Sequence, residues 1–249
     1  MKFRKDEALV LHSRKWSESS FILTCLARES GKLSLVSKGA RRPKAFTGAY
    51  HTPGSHVELI WIDHSQRDLF SLVSIDPLVQ VSVPLEYLRF TAWMRILRLV
   101  KRTINPESPH PTGYYQLIRT LQAIGSDKTD ARLLYLQFVL RWVSELGFPI
   151  DWSRCDRCGN LVRGKRLAIL VDRGVGICEN CLTGKPTSPE EQLLQISGET
   201  YAWLRKLDAM SEREVKRITV SDRAREEMET VCMRYGEHHL GFSLRSVFQ

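Results

Sequence analysis

The residues best placed to do chemistry in this 249-residue chain are four cysteines in two close pairs, Cys155-Asp-Arg-Cys158 and Cys178-Glu-Asn-Cys181, with nineteen residues between them. Each Cys-x-x-Cys turn aims two thiolates at a common point, and two such turns complete a tetrahedral, all-cysteine zinc shell. That shell is coordinatively closed. It offers no position to a substrate or an activated water, so the chemistry it predicts is structural. Gly159 follows the first pair, where a tight knuckle needs backbone freedom at positive φ. The alternatives for these cysteines are disulfides, a redox dithiol pair and a knuckle without metal. Met1-Lys-Phe-Arg-Lys-Asp6 carries charge but leads into no apolar signal region, which points to a cytoplasmic chain, where paired cysteines more often bind metal than form disulfides. Cys25 and Cys232 lie alone in apolar segments and read as small core residues.

A second set of groups could hold polyanions. Within Gly31-Lys-Leu-Ser-Leu-Val-Ser-Lys-Gly-Ala-Arg-Arg-Pro-Lys44 the cations Lys38, Arg41, Arg42 and Lys44 gather around Gly39 and Pro43, which favour irregular backbone. Phe46 and Tyr50 follow, and Trp61 is not far beyond. Basic side chains beside aromatic faces suit the phosphates and bases of single-stranded nucleic acid. The competing reading is a solvated loop whose aromatics fill the interior of a fold. Catalytic patterns are lacking: the Gly31–Lys44 segment has no phosphate-cradling Gly-x-x-x-x-Gly-Lys-Ser/Thr order, and no Gly-x-Ser-x-Gly elbow occurs. His238 and His239 are adjacent and would point about 100° apart on a helix, so they read as packing or surface residues. His51, His56 and His64 have no carboxylate pattern around them, and Asp63 and Asp68 lack the further acids of a two-metal nuclease. The expectation is a protein without catalytic turnover.

The elements that must position these groups fall into distinct stretches. Glu7–Ser13, Ser20–Ala27, Leu33–Ser37, His56–Asp63 and Leu69–Ile75 are short, aliphatic and separated by turn signals, which predicts five strands. A five-stranded OB-type Greek-key barrel fits that size and a basic surface. After Pro77–Pro84 the period changes to that of helices: Leu85–Thr103, with Arg89, Arg95, Arg98, Lys101 and Arg102 interleaved, then Thr112–Ala123, then a nearly all-apolar helix from the N-cap Asp130 to Gly147. Leu167–Val171 and Val175–Ile177 around Asp172-Arg-Gly174 form a hairpin between the cysteine pairs. Helices are expected again near Glu190–Leu207 and Ser221–Leu240. The fold class is therefore α+β, with an OB-fold domain at 1–80, a helical domain at 81–150 and 188–249, and a zinc ribbon inserted at 151–187.

The net charge of +9 is unevenly spread, since residues 1–80 and 81–150 each carry +4 whereas 188–249 carry −2. An excess of this kind toward one end is an electrostatic footprint for a polyanion. No apolar run reaches membrane-spanning length, and no long helix sets Lys and Arg against an apolar face.

The chain resembles the RecO family of bacterial recombination mediators. The likeness rests on Gly31-Lys32-Leu33 through Gly39-Ala-Arg-Arg-Pro-Lys44, on Leu146-Gly-Phe148 leading into Cys155-Asp-Arg-Cys158-Gly159, on the second cysteine pair, and on Tyr235-Gly-Glu-His-His-Leu-Gly-Phe-Ser-Leu-Arg-Ser246. It spans essentially the whole length. It implies an OB-fold, a helical domain and a ribbon holding one structural Zn2+. It also implies binding of single- and double-stranded DNA, annealing of complementary strands, and work with RecR to load the RecA recombinase onto strands coated by single-strand-binding protein, in the bacterial cytoplasm at the nucleoid. Lys38, Arg41, Arg42 and Lys44 match the DNA-contacting barrel region of such proteins. Some family members lack the cysteines, which implies that zinc supports structure rather than activity. A metal-assisted nucleic-acid enzyme and a zinc-ribbon transcription regulator are the rival functions. For an acidic, hydrophobic-ended tail, a pocket rimmed by helical arginines such as Arg98 or Arg141 is the expected seat.

Overall fold

The computed structural model describes residues 2–40, 50–63, 69–79, 82–106, 108–126, 130–182 and 192–244. Two compact units emerge, Met1–Asp127 and Lys128–Gln249.

In the first unit, β1 (Lys2–Lys15), β2 (Phe21–Ala27), β3 (Gly31–Ser37), β4 (His56–Asp63) and β5 (Phe70–Val79) close a barrel in the order β1-β2-β3-β5-β4. All neighbours are antiparallel except β3 and β5, which meet in parallel at Leu35–Phe70 and Val36–Ser71. This is the OB-fold that the strand spacing predicts. The long β1 serves two partners: residues 2–9 pair with β4 and residues 8–15 with β2. Between those halves the register slips, with Val10 opposite Cys25 but His12 opposite Thr24. The slip is a bulge at Leu11, and it reverses which positions face inward. Ala8 and Val10 point into the barrel with Leu23, Cys25, Leu33, Leu35, Val57, Leu59 and Trp61. Past the bulge the even positions, His12 and Arg14, take the outer face. Trp61 is 1% exposed. It fills the barrel, which settles the choice between core and base-stacking roles in favour of the core.

Two helices complete this unit, α1 (Tyr87–Thr103) and α2 (Pro111–Gly125). The fully buried Trp93 of α1 packs so tightly on Gly54 that a Cβ there would sit 2.4 Å from the ring, and Gly54 also has φ +92°. Lys32 of β3 donates from Nζ to the carbonyls of Lys101 (2.9 Å) and Ile104 (3.1 Å). Arg89 donates likewise to Ile124 O and Ser126 O. Both helices thus have end carbonyls, which no intrahelical donor can reach, satisfied by a cation from another element.

The second unit is built around α3 (Ala131–Glu145), where eleven of 15 residues are buried. A helix apolar on nearly every side has to be surrounded. Asp130 caps it, accepting from Arg132 N and Leu133 N, and Gly147 takes φ +99° just beyond its end. Four strands follow in the order β6-β8-β7-β9: β6 (Asp151–Cys155), β7 (Arg166–Leu170), β8 (Val175–Ile177) and β9 (Leu193–Ser197). The β7–β8 hairpin is the one expected from sequence. Four residues after β8 form α4 (Glu179–Leu182), and α5 (Gly198–Ala209) and α6 (Asp222–Leu240) follow β9.

The helix expected near Glu190–Leu207 needs correction. Leu193–Ser197 is a strand paired with β7, and the helix begins only at Gly198. A short apolar run fits either period. Here the exposed edge of β7 supplies backbone partners, and Ser197, accepting from Thr200 N, starts the helix after them.

Candidate metal centre and nucleic-acid interface

The ribbon brings its two knuckles together through the parallel pairing of β6 with β8, which sets Cys155 opposite Gly176. Cys155 closes β6, Cys158 lies in the next turn, Cys178 follows β8 and Cys181 lies in α4. Gly159 takes φ +71° and donates to Cys155 O at 2.8 Å, while Cys181 N donates to Cys178 O at 3.0 Å. All four sulfurs lie within 4.8 Å of one another, and Cys158 Sγ stands 3.7 Å from Cys178 Sγ. A tetrahedral shell with bonds of about 2.3 Å separates its sulfurs by about 3.8 Å. The donor set therefore fits a single thiophilic ion. Cys178 N points at Cys155 Sγ (3.4 Å). Burial opposes ionisation of Cys155, but the N–H groups of Cys178, Cys158 and Arg157 outweigh it and bring the thiol to about 7. The proximity of Cys178, followed by burial, pushes Cys181 up to about 12. The shifts of Cys155, Cys178 and Cys181 run in opposite directions, as expected where neighbouring thiols compete for negative charge that a cation would neutralise. Cys155 and Cys178 share a small core with Ala168, Leu170 and Ile177. Outside it Arg157 donates to Cys181 O, and Arg173 pairs with Asp156.

The basic segment is described only at its ends. Lys38 is exposed directly after β3, and Gly39 turns the chain away with φ +73°. Arg41, Arg42, Lys44 and Phe46 lie outside the described residues. Tyr50 returns half-buried against the barrel core, and the buried His51 bonds through Nε2 to Ser37 Oγ at 2.8 Å. The two ends of the segment are thereby pinned to the same end of β3.

Several other sequence candidates have structural work. His56 bonds to Tyr114 Oη, and Asp63 pairs with exposed Arg4, while His64 and Asp68 lie outside the described residues. His239 bonds to Val171 O and stacks on Phe148, which is the packing role expected of it. Arg141 donates to Asp208 O and to Met210 O and pairs with Glu212; with Gln137, which donates to Leu207 O and Met210 O, it closes the C-terminal end of α5. Its guanidinium is committed to the fold, so it is a poor choice for seating a tail. The buried Cys25 and Cys232 thiols are pushed well upward by burial, which suits inert core residues.

Sequence spacing does not point to a further group of cations. His12 and Arg14 on the outer face of β1 lie near Arg98 and Lys101 of α1, beside exposed Trp16. Only the bulge at Leu11 puts the strand residues on that side, and no local motif announces it.

An OB barrel followed by helices and a four-cysteine ribbon defines a class of architecture by itself. The profile described as recombination protein O N terminal matches residues 1–80, and that of recombination protein O C terminal matches residues 84–247. The chain belongs to the recombination protein O family. Among curated proteins it is similar to the DNA repair protein RecO of Desulfitobacterium hafniense strain DSM 10664 / DCB-2, at 28% identity over 246 residues, covering 96% of this chain and 86% of that protein. It is also 28% identical over 180 residues to the DNA repair protein RecO of Frankia casuarinae, covering 71% of this chain and 72% of the relative. A role in DNA repair follows from that membership. Among the described residues no helix is long and apolar enough to cross a membrane.

Proposed function

We propose that this protein is a DNA-binding recombination mediator that acts by holding strands rather than by catalytic turnover. It binds single- and double-stranded DNA, anneals complementary strands and, with RecR, helps load RecA onto DNA coated by single-strand-binding protein. The observation that carries this reading is an OB barrel with an exposed cation at the end of β3, opening the Lys38–Lys44 basic segment, in a chain matched along nearly its whole length by the recombination protein O family. Annealing asks for no acid, base or nucleophile. A basic groove lowers the repulsion between two phosphate backbones, and sequence-tolerant contacts leave the bases free to find partners.

In this reading Lys38, Arg41, Arg42 and Lys44 hold phosphates, and Phe46 and Tyr50 support bases. Residues 1–80 form the DNA-binding domain, residues 81–150 and 188–249 the helical domain and residues 151–187 the ribbon. Cys155, Cys158, Cys178 and Cys181 hold one Zn2+, which shapes the ribbon. The protein works in the bacterial cytoplasm, at the nucleoid.

Annealing of complementary oligonucleotides in EDTA, without nucleotide, tests the reading. Annealing should persist there, whereas metal-dependent cleavage would identify an enzyme, and strong preference for one duplex sequence would identify a regulator. Reversing the charge of Lys38, Arg41, Arg42 and Lys44 together should lower DNA affinity by about 100-fold or more and flatten its salt dependence by roughly 0.7 per lost phosphate contact. Unchanged affinity and slope would remove the segment from the site.

A further inference from the structure

The strand registers line up the end of β1 with Lys38. Arg14 stands opposite Ile22, and Ile22 opposite Val36; Lys15 stands opposite Phe21, and Phe21 opposite Ser37. One step on, Trp16 N donates to Ser20 O at 3.0 Å. Ser20 precedes Phe21 and Lys38 follows Ser37, so the next row across the sheet runs Trp16, Ser20, Lys38. Strand spacing puts its ends about 10 Å apart. Because side chains alternate, this row shares the outer face with Arg14, Ile22 and Val36. Trp16 is 57% exposed, and the Arg14 guanidinium lies over its ring, 5.2 Å from the centroid. On the other side of Arg14, α1 packs along β1 and carries Arg98 and Lys101 one turn apart.

Resting on the DNA-binding reading above, we propose that Arg14, Trp16, Arg98 and Lys101 form a track for single-stranded nucleic acid, continuous with Lys38. Its cations take successive phosphates and Trp16 takes a base. Electrostatics favours a polyanion there. Lys101 is held below an ordinary lysine first by burial and then by Lys32, Arg14 and Arg98, and His12 is lowered by burial and by Lys101, Arg14 and Arg98. These are like charges gathered at a cost in self-repulsion, which a phosphate chain relieves while releasing its counterions. Trp16 fits the same partner. An indole with a guanidinium on it and more than half its surface in water is a stacking platform for any base. The bulge at Leu11 is the device that makes the track, since unbroken alternation from Val10 would turn His12 and Arg14 into the barrel.

The test uses the full-length protein and a fluorescein-labelled oligothymidine titrated at several salt concentrations. Arg14 and Trp16 are exposed, so their substitution leaves the fold intact, and thermal unfolding of each variant checks this. The double variant Arg14→Ala/Arg98→Ala should lose about 10-fold in affinity and flatten the salt slope by roughly 1.4, two phosphate contacts' worth. Trp16→Ala should lose about 5- to 100-fold with the slope unchanged, and Trp16→Phe should recover most of the loss. If the charge-reversed Lys38–Lys44 variant fails to bind while these variants bind as the parent does, the track is refuted and the wider reading stands. If the parent itself does not bind oligothymidine, both fall. If the variants lose affinity for polyglutamate but keep it for oligothymidine, the surface belongs to an acidic protein partner and the track is overturned.

Discussion

The ribbon and the barrel solve the same problem, holding a small sheet in one shape, by different means. The β6–β9 sheet has short strands and a core of a few side chains around Cys155 and Cys178, too little to close on hydrophobic burial alone. Its two knuckles converge instead on four sulfurs within 4.8 Å of one another, a set that could hold one ion. The barrel closes on itself and buries Trp61, Leu23, Leu35, Leu59 and Val57 almost completely in its interior. At about 1.5–3 kcal/mol for each such side chain, it has no need of a metal. The difference teaches where function can be placed. A sheet whose two knuckles meet at four thiols has little freedom to change those side chains, whereas a barrel organised by its interior is free to vary its outside. The outer surface of the barrel can therefore carry charges that repel one another, as around Lys101.

The largest effect expected from breaking this contrast comes from the ribbon. Cys178→Ser should remove about 5 kcal/mol or more from the stability of the Lys128–Gln249 unit, within the roughly 10–16 kcal/mol of a structural zinc site. Metal content by mass spectrometry and chelator-sensitive melting would show it. Oligonucleotide affinity should stay within about threefold of the parent, and a collapse in binding would mean that the ribbon, not the barrel, contacts DNA.

Next comes a packing test on the barrel side. Gly54→Ala forces a Cβ against Trp93 at a residue with φ +92°, and should cost about 3 kcal/mol in denaturant unfolding while leaving metal content untouched. An unchanged midpoint would show that α1 yields more readily than its packing suggests.

A smaller effect concerns the link between ribbon and helices. Burial works against ionisation of Glu227, but hydrogen bonds from Thr200 Oγ1, from Ser197 N and Oγ and from Arg223 prevail and hold the carboxyl down at about 2. A folded value below the unfolded one means that this stability is complete above pH about 4.5 and is lost as pH falls toward 2. Glu227→Gln should lower stability by about 2 kcal/mol at neutral pH and remove that part of the acid dependence, as seen by melting at stepped pH. The smallest effect should follow Arg4→Ala. Its partner Asp63 lies 2.7 Å away, but Arg4 is half exposed, so less than about 0.5 kcal/mol should be lost.

The four-cysteine cluster was legible because its pattern is local: two turns of four residues each bring two thiols together, whatever the rest of the chain does. The strands were legible because burial alternates along them, as in β3, and α3 because it is apolar all round. β9 was not. Leu193–Ser197 adopts the strand period only because β7 offers it an edge, and β7 lies more than twenty residues away. The Arg14–Trp16 surface was hidden for a similar reason. One extra residue at Leu11 decides which way every later side chain of β1 points, and a bulge has no fixed sequence mark. Lys38 was found by its neighbours in the chain, whereas Lys101 needed its neighbours in space.

Ser197 is at once the last residue of β9 and the N-cap of α5, and Glu227 of α6 accepts from both its N–H and its hydroxyl. The ribbon is thus no detachable cassette. A graft of residues 151–187 into another protein would carry all four cysteines, yet leave β7 with an open edge prone to recruit a strand from another molecule. Extending the graft to residue 197 would cover that edge but strand a helix cap without its carboxylate. The natural seam for transplantation lies beyond α6, and the cysteine knuckle travels only with the helices that finish its sheet.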